Sequence, residues 1–184
     1  RYGENPHQAA AVYSDSSLRG TYQFEQHHGK ELSYNNYIDL DAAYQLVREF
    51  DWPAAAVIKH TNPCGVAVAE TVQEAYQKAH DADPVSAFGS IVGLNRRVNL
   101  DTATCISKTF VEAVIAPGFD PEALDHLKQK ANIRLITVDF DRAATDQVVL
   151  RPVFDRLLVQ EQDHDVVDDA NIKVVTDKQV DSKL

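Results

Sequence analysis

The chain has 184 residues and a formal net charge of −10, which argues against a nonspecific nucleic-acid binder, since that needs a basic surface. Its 44% hydrophobic and 25% charged content is that of a globular domain with a real core, and no apolar run approaches the ~20 residues that span a bilayer. Two cysteines, Cys64 and Cys105, make no disulfide framework, and the sequence shown opens without a charged-then-apolar signal segment, so a cytoplasmic protein is expected.

Residues 9–17 and 21–30 alternate apolar or aromatic with polar side chains, predicting one or two short strands near a sheet edge. Ala42, Ala43, Leu46, Val47 and Phe50 then fall at helical spacing, with Asp39 or Asp41 to cap the first turn and Pro53 to end the helix. The run Ala54 to Ile58 reads as a buried strand, closed by Lys59 and His60 and by a turn over Thr61, Asn62 and Pro63. Thr71 and Glu74 have capping-box spacing, and Val72, Ala75, Tyr76 and Ala79 continue as one helical stripe that stops before Asp83-Pro84. Phe88 to Leu94 reads as a second buried strand, and Asp101 can cap a helix that runs to about Phe110. Ala113 to Ala116 is a short strand, Asp120 and Pro121 open a helix through about Lys130, and Ile133 to Val138 is a further strand. Beyond Asp163 the chain is acidic and weakly patterned, with a short strand expected at Ile172 to Val175. Strands alternating with helices predict an α/β fold, a three-layer sheet with helices packed around it.

The end of the strand at 54–58 is the natural place to look for chemistry. Ligands of α/β sheets bind beyond the carboxyl ends of strands, and His with Lys suits proton transfer near neutrality. A strand end that merely reaches solvent accounts for the same two residues. Neighbouring strand residues point to opposite faces, so Lys59 and His60 serve one site only if the backbone turns between them and Asn62-Pro63. Cys64 lies four residues from His60 and opens a thiol-nucleophile alternative. Phe88, taken alone, reads as core. His27 and His28 read as exposed loop residues, and His126 and His164 lie in polar surroundings. No metal is expected: His60 lacks a Glu two places on, and Pro63-Cys64 lacks a second cysteine at the x-x spacing of zinc deaminases.

Five strings add a family resemblance. RYGENPHQAA (1–10), GKELSYNNYIDLDAA (29–43), KHTNPCGVA (59–67), DADPVSAFGSIVGLNRRV (81–98) and FVEAVIAPGF (110–119) resemble the transformylase part of the AICAR transformylase/IMP cyclohydrolase family. The likeness extends from Arg1 to about residue 163. It implies a cytidine deaminase-like fold and the transfer of a formyl group from 10-formyltetrahydrofolate, the co-substrate, to the 5-amino group of AICAR. His60 matches the general base, and Lys59 the group that stabilises the intermediate or protonates the folate leaving nitrogen. Arg1 and Tyr2 match contacts to the nucleotide, as do Phe88, Gly89 and Glu112, with Asn36 in LSYNN as a further binding candidate in what reads as a loop. The resemblance implies that 1–163 is the first half of the transformylase module and that 164–184 leads to a second half, with a homodimer completing the site. The absence of Met agrees with a piece of a longer chain. Both substrates are anions while the chain is acidic, so local cations, Arg1 and Lys59, must overrule the global field. A noncatalytic nucleotide-binding or oligomerisation module, and a thiol enzyme using Cys64 with His60, remain as alternatives.

Overall fold

The structure, a computed structural model, describes residues 2–13, 23–140, 148–161, 163, 173 and 175. Arg1, residues 14–17 and 21–22 of the predicted edge segments, and most of the strand expected at Ile172 to Val175 lie outside the described residues. The chain divides into two compact units, 1–142 and 143–184.

The first unit is a six-stranded mixed sheet flanked by four helices. In chain order it holds β1 (Glu25–His28), α1 (Tyr34–Arg48), β2 (Ala54–Lys59), β3 (Asn62–Val68) and α2 (Val72–Ala82). It continues with β4 (Ser90–Leu94), α3 (Leu100–Ile106), β5 (Val111–Ala116), α4 (Pro121–Lys128) and β6 (Arg134–Thr137). The strands lie in the order β1-β6-β5-β4-β2-β3. β4, β5 and β6 run parallel, whereas β1 is antiparallel to β6, and β2 is antiparallel to both β3 and β4. β1 lies at the sheet edge, where the alternating opening segment predicted it.

Strand pleating separates the layers. Ala55 and Val57 join the cluster packed by α2, α3 and α4, while Ala54, Ala56 and Ile58 join the cluster packed by α1. Successive strand side chains point to opposite faces, so a run apolar at every position is what a strand covered on both sides requires. The result is three layers, with one helix on one face and three on the other.

Several element boundaries differ from the sequence expectation, each for a local reason. α1 begins at Tyr34, capped by Ser33 rather than Asp39 or Asp41. Ser33 Oγ accepts from the Asn36 N–H at 3.2 Å, and Asn36 Oδ1 accepts from the Ser33 N–H at 3.0 Å, a reciprocal box with Asn in the Glu/Gln place. Asn36 therefore lies in a helix, not a loop. α3 is capped by Asn99, not Asp101, and ends at Ile106 rather than near Phe110. Phe110 instead leads into β5, which starts two residues before Ala113. Asp120 precedes α4 but makes no side-chain cap, because its Oδ1 takes the Arg97 Nε at 2.7 Å. β4 starts at Ser90, leaving Phe88 and Gly89 in a turn. The sequence predicts a turn over Thr61, Asn62 and Pro63 and no strand after it, whereas β3 runs from Asn62 to Val68. Its Pro63 and Gly65 are poor strand formers, and both are tolerated because β3 is an edge strand.

The second unit contains an antiparallel hairpin, β7 (Val148–Val153) and β8 (Arg156–Glu161). Leu150, Leu157 and Val159 lie on one face of it and are all more than half exposed.

Candidate functional site

The Lys-His pair stands on a strained turn. In the β2–β3 hairpin Lys59 pairs with Asn62, which leaves a two-residue loop, His60 and Thr61, with φ of 53° and 62°. Positive φ at both loop positions is the type I′ pattern, normally filled by Asn-Gly or Asp-Gly. His tolerates it, but a β-branched Thr there is an outlier. Three hydrogen bonds hold the turn. The Thr61 N–H donates to Asp39 Oδ1 at 2.7 Å, and the His60 carbonyl accepts from Asn62 Nδ2 at 2.9 Å and from Thr61 Oγ1 at 2.7 Å. The backbone thus reverses directly after Lys59, as joint use of Lys59 and His60 requires. His60 is exposed and Lys59 half-buried.

Lys59 ties this turn to the next candidate segment. Its Nζ donates to the Phe88 carbonyl at 2.9 Å. Phe88 is 63% exposed, so it is a surface ring and not core. It packs against Phe110 with ring centroids 5.3 Å apart. Gly89 has φ +76° and donates its N–H to the Phe110 carbonyl at 2.8 Å. A Cβ on Gly89 would meet only the Phe110 ring at 3.5 Å, so the left-handed backbone, rather than crowding, calls for glycine here.

The loop that carries Phe88 is anchored by Asp83, whose carboxylate accepts from the Ser86 N–H at 3.0 Å and the Ser86 Oγ–H at 2.6 Å. The Ser86 hydroxyl and then the Ser86 N–H hold the Asp83 pKa below the ordinary carboxylate value. A depressed folded pKa gives stabilisation that is complete above the ordinary value and is lost as pH falls through the folded one. Protection of the Ser86 amide, taken relative to its intrinsic exchange rate, is therefore expected to be complete above the ordinary carboxylate value and to fall only as pH drops through the lower folded one. Asp83→Ala is expected to abolish this pH dependence. An Asp83→Ala profile that matches the wild type would contradict the anchor.

Glu112 owes its position to a bulge. Ser90 pairs with Val111 and Ile91 with Ala113, so Glu112 is the extra residue of β5, and bulges re-aim side chains in this way. Its Oε2 accepts from Asn36 Nδ2 at 3.0 Å and from Arg134 Nη1 at 3.3 Å. Asn36 is 6% exposed and Arg134 9%. Arg134 also donates through Nε to the Lys30 carbonyl at 3.2 Å. Both side-chain bonds to Glu112 fall on one oxygen. Arg134 escaped the sequence reading because it lies at the start of an apolar strand, where burial only becomes meaningful once Glu112 stands across from it. The sequence offers Asp39 only as a helix cap, a place that Ser33 takes.

Asn36 and Asp39, one helical turn apart on α1, thus reach Glu112 and the His60–Thr61 turn respectively. Lys59, His60, Phe88, Gly89, Asn36 and Glu112 gather at one end of the sheet through these bonds. That end is the carboxyl end of β2 but the amino end of its neighbour β4, because β2 and β4 are antiparallel. The rule that sites lie beyond the carboxyl ends of parallel strands therefore finds the residues through β2 alone and would misplace them on β4 and β5. Tyr2, 37% exposed, bridges to Ala9 and lines a cleft of about 230 Å³ with Glu31, Tyr34 and Tyr37. Arg1 lies outside the described residues.

Cys64 is the extra residue opposite the Val57–Ile58 step and packs against the apolar cluster on the α2 side. Burial first, and then the nearby Asp83 charge, push its thiol pKa up. A thiol kept protonated is a poor nucleophile, which weighs against the Cys64–His60 alternative. Among the described residues no group of three or more His, Cys, Asp or Glu is placed to hold a metal ion, and no helix there is long and apolar enough to cross a membrane.

The sequence pattern of the family described as "AICARFT/IMPCHase bienzyme" matches residues 1–184. The chain is 52% identical over 184 residues to the bifunctional purine biosynthesis protein PurH of Lysinibacillus sphaericus, covering 97% of this chain and 36% of that protein. It is 48% identical over 181 residues to the PurH of Bacillus subtilis, covering 97% of this chain and 35% of that protein. The chain spans about a third of the length of the curated relatives it matches.

Proposed function

The chain belongs to the AICARFT/IMPCHase bienzyme family, and on that premise we propose that it carries one half of the site that moves a formyl group from 10-formyltetrahydrofolate to the 5-amino group of AICAR in purine biosynthesis. The observation that supports this reading best is the Lys59 Nζ bond to the Phe88 carbonyl. It ties the Lys-His turn to a segment with an exposed ring and a glycine backbone, the features a flat heterocyclic substrate needs.

The chemistry proceeds as follows. The AICAR amine is a weak nucleophile, because its lone pair is delocalised into the ring and carboxamide. As its nitrogen bonds to the formyl carbon, His60 accepts the N–H proton. The carbonyl electron pair moves to oxygen, where Lys59 stabilises the negative charge. The carbon–N10 bond then breaks, and N10 leaves with a proton drawn from Lys59 or from the imidazolium of His60. A preorganised donor such as Lys59 is worth roughly 3–4 kcal/mol. Arg1 and Tyr2 bind the nucleotide, Phe88 stacks on a ring, and Gly89 lets the backbone approach. Glu112, held by Asn36 and Arg134 through Oε2, presents Oε1 to substrate donors.

The three-layer arrangement supports a cytidine deaminase-like fold, and the sequence lacks the zinc-deaminase motifs that a metal in it would need. Residues 1–163 would form the first transformylase half, with 164–184 leading into the second. The few cations of these motifs are too sparse for two anionic substrates. The remainder of the site then comes from a second half and a homodimer partner, in a cytoplasmic protein that also carries IMP cyclohydrolase.

The test is formation of tetrahydrofolate from the two substrates, followed spectrophotometrically. The 184-residue chain alone is expected to show no turnover, and the protein that contains the second half to show it, insensitive to alkylation of Cys64. Turnover by the 184-residue chain alone, abolished by Lys59→Ala, would overthrow the two-half reading. If the longer protein binds AICAR yet never transfers formyl, the noncatalytic binding module is the better description.

A further inference from the structure

We propose that Asp39 is a positioning residue that pins the His60–Thr61 turn in its left-handed conformation and so sets where the His60 imidazole points. This rests on the reading of His60 as the base and adds a residue to it.

The argument starts from a local conflict. A two-residue hairpin loop with both φ positive calls for Asn-Gly or Asp-Gly, and this chain has His and Thr at 53° and 62°. Residues held in sparsely populated backbone regions persist only where the surroundings over-determine them, and they cluster at functional sites. Two of the bonds that stabilise the turn, from Thr61 Oγ1 and Asn62 Nδ2 to the His60 carbonyl, are internal and would move with it. The 2.7 Å bond from the Thr61 N–H to Asp39 Oδ1 joins it to a different element. A carboxylate acceptor makes this a strong hydrogen bond. The element behind it is rigid: Leu40 is 2% exposed and Ala43 0%, both buried against the sheet. One turn earlier on the same helix, Asn36 holds Glu112. The first two turns of α1 thus set the base and the carboxylate at a fixed distance from each other. A merely structural Asp39 would need only to cap the helix, and Ser33 already does that.

The experiment uses the full-length protein that carries this segment, with Asp39→Ala, Asp39→Asn, Thr61→Gly and the Asp39→Ala/Thr61→Gly pair. Asp39→Ala is expected to lower kcat roughly 10- to 100-fold, the scale of a small misplacement of a catalytic group, with KM for AICAR within about twofold. Asp39→Asn keeps an acceptor oxygen and retains most of the activity. Glycine adopts positive φ without penalty, so Thr61→Gly is expected to restore most of the kcat lost in Asp39→Ala, which no charge effect of Asp39 would allow. Thr61 amide exchange should accelerate in Asp39→Ala and stay slow in Asp39→Asn. Unchanged Thr61 exchange in Asp39→Ala, or failure of Thr61→Gly to recover turnover, overturns the proposal. Accelerated exchange together with wild-type turnover in His60→Ala faults the base assignment instead and leaves Asp39 as the anchor of the turn.

Discussion

His60→Ala in the full-length protein is expected to lower kcat by roughly 10²- to 10⁴-fold, the range supplied by a positioned general base, with a much smaller change in AICAR affinity. The reason is where the proton moves. In the proposed mechanism the amine sheds its proton only as it attacks, so the interaction with His60 would belong to the transition state and leave ground-state binding little altered. Alanine also disfavours the positive φ of 53° at this position, so a loss in His60→Ala alone mixes chemistry with backbone geometry. His60→Asn separates them. Asparagine tolerates the left-handed region but cannot take up the proton, so it should keep the turn and lose the rate. Steady-state kinetics decide the matter. A kcat within about threefold of wild type in both variants would make general-base catalysis by His60 untenable.

Gly65→Ala is expected to cost about 3 kcal/mol or more, at the upper end of overpacking effects, and to lower Tm by roughly 6–12 °C for a chain of this size. A Cβ built on Gly65 would sit 2.0 Å from the Ala79 carbonyl oxygen and 2.8 Å from the Ala82 Cβ. The nearest obstacle is helix backbone, which cannot rotate away as a side-chain tip would. Either α2 lifts off the sheet, exposing Ala75, Ala79 and Tyr76, or β3 leaves its register with β2. That second course would disturb the Lys59–Asn62 pair and with it the turn. Differential scanning calorimetry on the 184-residue chain reads the effect. A Tm within about 2 °C of wild type would show that the close packing of β3 on α2 is not required. The glycine of the TNPCG string therefore has a packing role of its own.

Both effects bear on how far the chain could be read without its fold. The apolar run Ala54 to Ile58, the stripe Val72, Ala75, Tyr76, Ala79 and the Thr71 cap all follow from periodicity and capping chemistry, which are local. So do the strands at 90–94 and 111–116, within two residues at their ends. The family resemblance, carried by five strings in order, singles out Lys59, His60, Gly89 and Glu112 as candidates without any geometry.

What the sequence could not supply were relations between distant segments. That β2 runs against β4, and so brings the end of one to the start of the other, depends on pairing across 29 residues, from Lys59 to Phe88. The bulge that aims Glu112 at Asn36 exists only in the β4–β5 register. Arg134 is one charge among many in the sequence, and only the fold buries it beside that carboxylate. Asp39, read as a helix cap, becomes an anchor because Ser33 caps the helix and leaves the Asp39 carboxylate to reach Thr61. Local propensity is decided by a residue and its near neighbours. Hydrogen bonds, burial and backbone strain between remote segments are decided only when tertiary packing brings their atoms within a few ångströms.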